Sequence, residues 1–445
     1  MENKKIEIIA VGGHSEIGRN CTAIVVDNEA ILLDMGLHME NYINFTEDED
    51  MRNAMSGEDL IKHDAVPNIN KIKNLWPKVK AILVTHAHLD HIGAIPFLAD
   101  RFNAPIYGSA YSIEVLKAIL HDERIKIANK LIVKPVNSKF RVSDNFSIEF
   151  ISMTHSVPQT VMILVKTKYG DVLYSNDFKF DNNPTLGEKP NYKALEAIGK
   201  SGKLKALIVD SLYADDPRKT PSEAIAKEML KDVLLGTNSK GKVVVVTTFS
   251  SHIARLQSIV SLGKKLNRKI VLMGRSLTKY VKAAEDVGLV NFSKDCKIVT
   301  YGSQIKSFFK KEAHPEKYLF VVTGHQGEPK AVLGKVVNRN WLKFHPGDHV
   351  IFSSSIIPVE QNFVNREKLE KELSKYKVRI FRDVHVSGHA GREDLRDLVE
   401  LVKPKFVMPA HGNKKKSLAM KDLCLQLGFK SDRIRILKDG NRIKV

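Results

Sequence analysis

Short apolar runs rich in Val and Ile alternate along this chain with longer amphipathic stretches, and the two periods together predict an α/β protein. Strands are expected at 6–11, 30–33, 81–84, 161–166, 172–175, 206–209, 243–246, 269–273, 318–322, 349–353 and 406–408. Helical spacing is expected at 92–101, 112–121, 221–235, 252–266, 277–287, 365–376 and 392–402. Thr220-Pro221-Ser222-Glu223 offers a Thr cap with Pro in the first helical position. Near the end, Asp439-Gly440 sits between alternating residues and predicts a hairpin over 434–445. From 37 to 68 the chain is polar and acidic with no clear strand, a length of loop that is usually functional or mobile.

Composition changes this picture little. Apolar residues make up 43% of the 445 and charged ones 27%, ordinary globular usage that excludes a disordered chain or a coiled coil. No stretch is long and apolar enough to span a bilayer, and the N-terminal apolar run is too short for a signal peptide, so a cytoplasmic protein with no membrane partner is expected. Three scattered cysteines, Cys21, Cys296 and Cys424, fit a reducing compartment and read as core fillers. Charge adds more. Seventy Lys and Arg against 51 Asp and Glu leave +19, a field that favours polyanions such as nucleic acid. A Lys-rich proteome would give the same number, so charge alone does not decide.

The chemistry concentrates in Ala81-Ile-Leu-Val-Thr-His86-Ala-His88-Leu-Asp90-His91-Ile-Gly-Ala. An apolar strand runs into three His and an Asp, then into a helix. Alternate spacing points His86 and His88 to one side, while Asp90 and His91 at the helix entrance can face a second ion. Imidazole and carboxylate suit Zn²⁺, and two ions roughly 3.5–4 Å apart clamp a hydrolytic transition state. Two ions need more ligands than these four, and further candidates stand at other strand ends: His155, Asp177 and His411.

This pattern resembles the metallo-β-lactamase superfamily over nearly the whole chain. The resemblance implies an αββα sandwich in which His86, His88 and His155 hold one zinc and Asp90, His91 and His411 the other, with Asp177 bridging. Asp90 then counts among the catalytic groups as well as the ligands, and the nucleophile is a water activated by the metals. Gly12-Gly13-His14-Ser15-Glu16-Ile17-Gly18 and the Asp34-Met-Gly36 turn also look like that family's opening strands. Mn²⁺ accepts the same ligands.

Roughly 175 residues separate Asp210 from His385, an insertion that resembles the α/β β-CASP domain of the nucleic-acid-processing branch. It implies a metallo-β-lactamase domain at 1–209 and 385–445 interrupted by a β-CASP domain at 210–384. Asp210, His389 and His411 match that branch's three motifs, and a His at the third resembles its RNA-directed members. Thr248-Phe249-Ser250-Ser251-His252-Ile253-Ala254-Arg255-Leu256-Gln257, Gly274-Arg275-Ser276-Leu277, Thr323-Gly324-His325-Gln326-Gly327-Glu328-Pro329 and His385-Val-Ser387-Gly388-His389 look like ribonuclease J. His325 departs from the Ser expected there.

The resemblance implies a metal-dependent 5′-to-3′ exoribonuclease acting on single-stranded, 5′-monophosphorylated RNA. His389 would protonate the leaving oxygen and Asp210 would hold its imidazole. Ser387, Gly388, Arg275 and Ser276 would bind the terminal phosphate, although a surface salt bridge for Arg275 and a plain turn for Ser387 are alternatives. His14, His252, His325 and His385 could support these groups. Phe249 could stack on a base, with a core role as the plainer reading, and Lys414-Lys415-Lys416 could touch RNA backbone or simply be solvated. Bacterial ribonuclease J carries a further C-terminal domain after its last metal-domain strands. This chain stops at Val445 without it, like the archaeal branch, so a homodimer is possible but lacks that support. Competing readings are an endoribonuclease of the mRNA 3′-end-processing type, a catalytically idle RNA-binding member, and a small-molecule hydrolase, the last disfavoured by the insertion and the charge.

Overall fold

Alternate residues along the strands of the metal-bearing part face opposite ways, and both faces are apolar. Phe150, Ile163, Val172, Ile208 and Met408 of one sheet pack against Ile8, Ile24, Ile31 and Leu83 of another. Their neighbours Ile151, Leu164, Leu173, Leu207 and Val407 turn the other way, onto the helices Tyr192–Ser201, Arg392–Val402 and Lys414–Gln426. The computed structural model describes residues 5–46, 56–357 and 360–445. It forms two compact units, one of Met1–Phe180, Glu188–Thr220 and Gly388–Val445, the other of Asp181–Gly187 and Pro221–Ser387.

In the first unit a seven-stranded sheet runs in the order Arg442–Lys444, Ile6–Gly12, Cys21–Val26, Glu29–Leu33, Val79–Leu83, Ile106–Gly108, Leu131–Val133. The facing six-stranded sheet runs Phe406–Ala410, Leu204–Asp210, Gly170–Asn176, Val161–Thr167, Ser147–Ser152, Lys139–Arg141. Pairing directions bring the carboxyl ends of Ser147–Ser152, Gly170–Asn176, Leu204–Asp210 and Phe406–Ala410 to one edge. Chemistry in open α/β sheets collects at such an edge.

Every expected strand and helix has a counterpart, with three corrections. The helix expected at 92–101 is broken into Leu89–Ile92, Ile95–Leu98 and a 3-10 turn at Ala99–Arg101, because Pro96 has no N–H to donate and belongs in a first turn. Thr220 is not the cap of the helix Glu223–Leu235. Ser222 is, its hydroxyl accepting from Ala224 N. No hairpin closes the chain: Ile434 bridges to Val407 in one sheet while Arg442–Lys444 pairs with Ile6–Gly12 in the other. Asp439-Gly440 does turn the chain, but pairing with distant edge strands sets where its arms go. Within 37–68 the described part is helical, at Met39–Thr46 and Gly57–Lys62, the second opened by a Ser56–Asp59 capping box; residues 47–55 lie outside the described residues.

The points where the chain leaves and re-enters the first unit are tied together inside it. Thr220 Oγ1 donates to the His389 carbonyl (2.7 Å) and accepts from Gly391 N (2.9 Å), and Asp394 Oδ2 accepts from Thr220 N (2.8 Å). A side chain at Gly391 would strike the Arg218 carbonyl, so this close approach requires glycine.

The second unit is built on a six-stranded parallel sheet, ordered Cys296–Val299, Lys269–Met273, Tyr318–Val322, Val244–Thr247, His349–Phe352, Arg379–Phe381. One face packs on the helices Gly302–Lys311, Val332–Asn338 and Glu360–Lys375. The helix Ile253–Lys265 buries Arg255 completely; its guanidinium grips Glu223 and donates to the Ser353 carbonyl (3.0 Å).

Candidate metal centre

Thr85 and His86 follow the strand Val79–Leu83, and His88 precedes the short helix that carries Asp90 and His91. The neighbouring sheet delivers His155, Asp177, Asp210 and His411 from strand ends at its carboxyl edge. These residues, with His389, form three interlocking groups whose ligand atoms lie within 4.8 Å of one another: His86, His88, His155 and Asp177; Asp90, His91, Asp177 and His411; Asp177, Asp210, His389 and His411. All nine sequence-predicted metal and catalytic residues therefore come together in the first unit.

Distances decide what this cluster can hold. In the first group His86 Nε2 and His155 Nε2 stand 3.1 and 3.2 Å from His88 Nδ1, and 3.5 and 3.8 Å from Asp177 Oδ2. Ligands about 2.0–2.2 Å from a tetrahedral zinc lie about 3.3–3.6 Å apart, so the set has the right span. In the second, His91 Nε2 is 3.2 Å from Asp177 Oδ2, and both His91 and His411 place Nε2 3.7 Å from Asp90 Oδ2. Asp177 is buried and neither carboxylate oxygen has a well-formed hydrogen bond; what surrounds it is a ring of histidine nitrogens at 3.2–3.9 Å. A buried carboxylate is costly unless it is fully paired, and cations between the two groups would meet both of its oxygens. The residues fit two zinc ions.

Protonation in the first group is consistent with ligation. Burial, with its histidine neighbours, pushes His86 and His155 well below the usual imidazole range and His88 down to about 4, leaving them neutral as a metal requires. Burial also disfavours charge on His91, but Asp177, Asp90 and Asp34 outweigh it and hold that ring well above its ordinary value.

Around this core stand residues whose roles the sequence reading missed. Asp34, at the end of Glu29–Leu33, accepts from Thr85 N (2.9 Å), Thr85 Oγ1 (2.8 Å) and His91 Nδ1 (2.8 Å), leaving His91 Nε2 to face Asp177. A ligating His usually has its second nitrogen held this way. Asn20 donates Nδ2–H to the Asp90 carbonyl (3.0 Å) and sets its Oδ1 3.1 Å from His411 Nδ1. Gly36 lies so close to the Asp90 carbonyl that any side chain there would collide with it. Asp34 and His411 both adopt left-handed backbone, at φ 59° and 52°, a conformation that costs a non-glycine residue and clusters at functional sites. Asp34 stands at a strand end just as Asp177 and Asp210 do, and that shared position was the signal for it.

His389 is held differently. Its Nδ1 lies 2.9 Å from Asp210 Oδ2, and its ring stacks parallel to that of His411 at 5.8 Å. Burial pulls the imidazole down, but Asp177 and the Asp210 hydrogen bond prevail and hold it at about 9. Gly388 accepts from His155 Nδ1 through its carbonyl (2.7 Å). Arg275, exposed, and Ser276, half-buried, open the helix Arg275–Asp286 in the second unit, where half-buried Ser387 also belongs. Among the other candidates, Lys416 pairs with Asp215 (2.6 Å), and His14 is buried with Nε2 2.8 Å from Thr22 Oγ1. All three cysteines are buried and unbridged.

Family models match the chain in three stretches: "Metallo-beta-lactamase superfamily" over 15–220, "Ribonuclease J, beta-CASP domain" over 240–369, and "Zn-dependent metallo-hydrolase RNA specificity domain" over 375–435. Ribonuclease J of Methanocaldococcus jannaschii is 42% identical over 441 residues, covering 98% of each chain. The chain belongs to the ribonuclease J family. Ribonuclease J of Pyrococcus abyssi is 39% identical over 92% of this chain and 90% of its own, and ribonuclease J 1 of Streptococcus pyogenes 30% identical over 99% and 74%. A crystal structure of a protein of unknown function from Enterococcus faecalis superposes with a TM-score of 0.68 at 17% identity, covering 99% of this chain and all of that one; it supports the fold alone. The chain thus has a metallo-β-lactamase fold with a β-CASP domain, and is a metal-dependent hydrolase directed at RNA, with a His/Asp cluster able to bind the ions. Among the described residues no helix is long and apolar enough to cross a membrane.

Proposed function

We propose that this protein degrades single-stranded RNA from a 5′-monophosphate end, one nucleotide at a time, in the cytosol. The hydrolytic part rests above all on buried Asp177, shared by the two His/Asp groups, with His389 and Asp210 set beside them. The direction rests on the ribonuclease J-like strings around Phe249, Arg275, His325 and Ser387.

Two divalent ions, zinc or manganese, held by His86, His88, His155, Asp177, Asp90, His91 and His411 would lower the pKa of water and neutralise charge building on the phosphodiester. Asp34 and Asn20 orient His91 and His411. Asp210 accepts a hydrogen bond from His389 Nδ1–H, so Nε2 is the nitrogen that would hand a proton to the departing 3′-oxygen as the P–O bond breaks. The groups proposed for the terminal phosphate are Ser387, the adjoining Gly388 backbone, Arg275 and Ser276; a triphosphate adds bulk and charge that such a set does not accommodate.

End-labelled RNA tests the reading. Mononucleotides should leave from the 5′ end, much faster from a monophosphate than from a triphosphate, and Ser387→Ala should narrow that gap without changing bound metal. Both substrates must be compared at one ionic strength, because phosphate contacts make binding salt-dependent. Equal rates for the two ends, with internal cuts in a circular RNA, would instead establish an endonuclease.

A further inference from the structure

The inserted parallel sheet has its own switch point. From Val244–Thr247 the chain crosses towards Lys269–Met273 on one side, whereas from Tyr318–Val322 it crosses towards His349–Phe352 on the other. Right-handed crossovers in opposite directions put the two following helices on opposite faces of the sheet. Accordingly Val332–Asn338 packs in the core that holds Phe320 and Val350, while Ile253–Lys265 packs against Glu223–Leu235 and Arg275–Asp286. The loops leaving these two adjacent strands therefore diverge at their carboxyl ends. Crevices of this kind are where open α/β sheets bind ligands.

Two side chains meet there. Phe249 follows the first strand and His325 the second, with ring centroids 4.1 Å apart and planes tilted by 56°. Phe249 is only half-buried, and the His385 ring stands 6.2 Å from it. His325 is 91% buried, yet neither ring nitrogen has a hydrogen-bond partner. Its backbone is fixed, since Arg366 donates to its carbonyl (2.7 Å). Burial, then the Arg366 charge, pushes the imidazole down to about 3, so the ring is neutral and offers one donor and one acceptor. Unsatisfied polar atoms of this kind are a cost the fold need not carry: a serine or an apolar residue would fill the position without it. A partner outside the protein would remove the cost. The donor and the acceptor point to different sides of the ring, so one of them can meet an atom on the edge of a nucleobase whose face stacks on Phe249; a phosphate would call for a cation.

We propose that Phe249 and His325 form a base-binding subsite at the switch point of the inserted sheet, the phenyl ring stacking on one base of single-stranded RNA while the imidazole hydrogen-bonds its edge. This rests on RNA being the substrate, but not on the direction of its degradation.

The test is an abasic scan. The full-length protein carrying His389→Ala, with its metals, is titrated with short RNAs lacking one base at each position in turn, and the RNA is recovered intact to show that binding alone was read. One position should weaken binding about 5- to 150-fold, the range for stacking a single base. Adding Phe249→Leu or His325→Phe should erase most of that penalty. His325→Phe should also raise the thermal unfolding midpoint, because it removes two unpaired nitrogens from a buried position. An unmodified scan with no sensitive position, a penalty unchanged in either variant, or a lowered midpoint for His325→Phe would overturn the proposal. Trimming or internal cutting by the parent enzyme, scored separately on end-labelled RNA, decides the exonuclease reading without touching this result.

Discussion

Asp34 and His389 show how single side chains divide the work of the centre. Asp34 touches no site that RNA could reach; it fixes which nitrogen His91 presents by taking the other one at 2.8 Å. Asp34→Ala should therefore weaken metal binding at the second group by about 10- to 100-fold, the usual effect of removing a partner behind a ligand, while the His86, His88 and His155 group keeps its ion; metal titration followed by elemental analysis would check this. His389→Ala should lower kcat by roughly 10²–10⁴ with both ions retained, and loss of metal would make His389 a ligand instead. The cluster from His86 to His91 was legible because its ligands are near neighbours in one strand-to-helix turn. Asn20 was not, and Asp34 was marked only by its place at a strand end, since their roles exist only once strand pairing carries them to His91, Asp90 and His411.

Elements were legible in proportion to their length and burial. Central strands such as Leu204–Asp210 and Tyr318–Val322 are apolar on both faces and stand out, whereas Leu131–Val133 and Lys139–Arg141 are three-residue edges too short to show a period. The C-terminal turn was readable but its partners were not, because pairing is a property of the sheets. The helix Glu223–Leu235 carries its own prediction. Glu223 is buried against Arg255 and His252; burial resists its charge, but His252 and the Arg255 guanidinium prevail and hold its carboxyl well below the usual range. Glu223→Gln leaves the Arg255 charge buried without its counter-ion and should destabilise the second unit by about 3–5 kcal/mol, read by denaturant unfolding at neutral pH. Because the folded pKa is depressed, this stabilisation is full above the unfolded value of about 4.3 and fades as pH falls below it. The gap between variant and parent should shrink on acidification from there.

At the scale of the molecule, the metals and the chain path govern when the enzyme exists. Chelation should lower the unfolding midpoint, by an amount equivalent to about 4 kcal/mol where free metal had exceeded its Kd a thousandfold, and Asp177→Asn should blunt that drop; calorimetry with and without EDTA reads both. The stitching of Thr220 to His389 and Gly391 has a further consequence, one of time. A ribosome extrudes His86 to Asp177 early, but His389 and His411 emerge only after the whole inserted unit, roughly 230 residues after Asp177 in the case of His411. At about 5–20 residues per second this is a delay on the order of ten seconds or more. Throughout it the nascent chain, tethered to the very messenger it is being read from, holds an incomplete set of ligands and no proton donor.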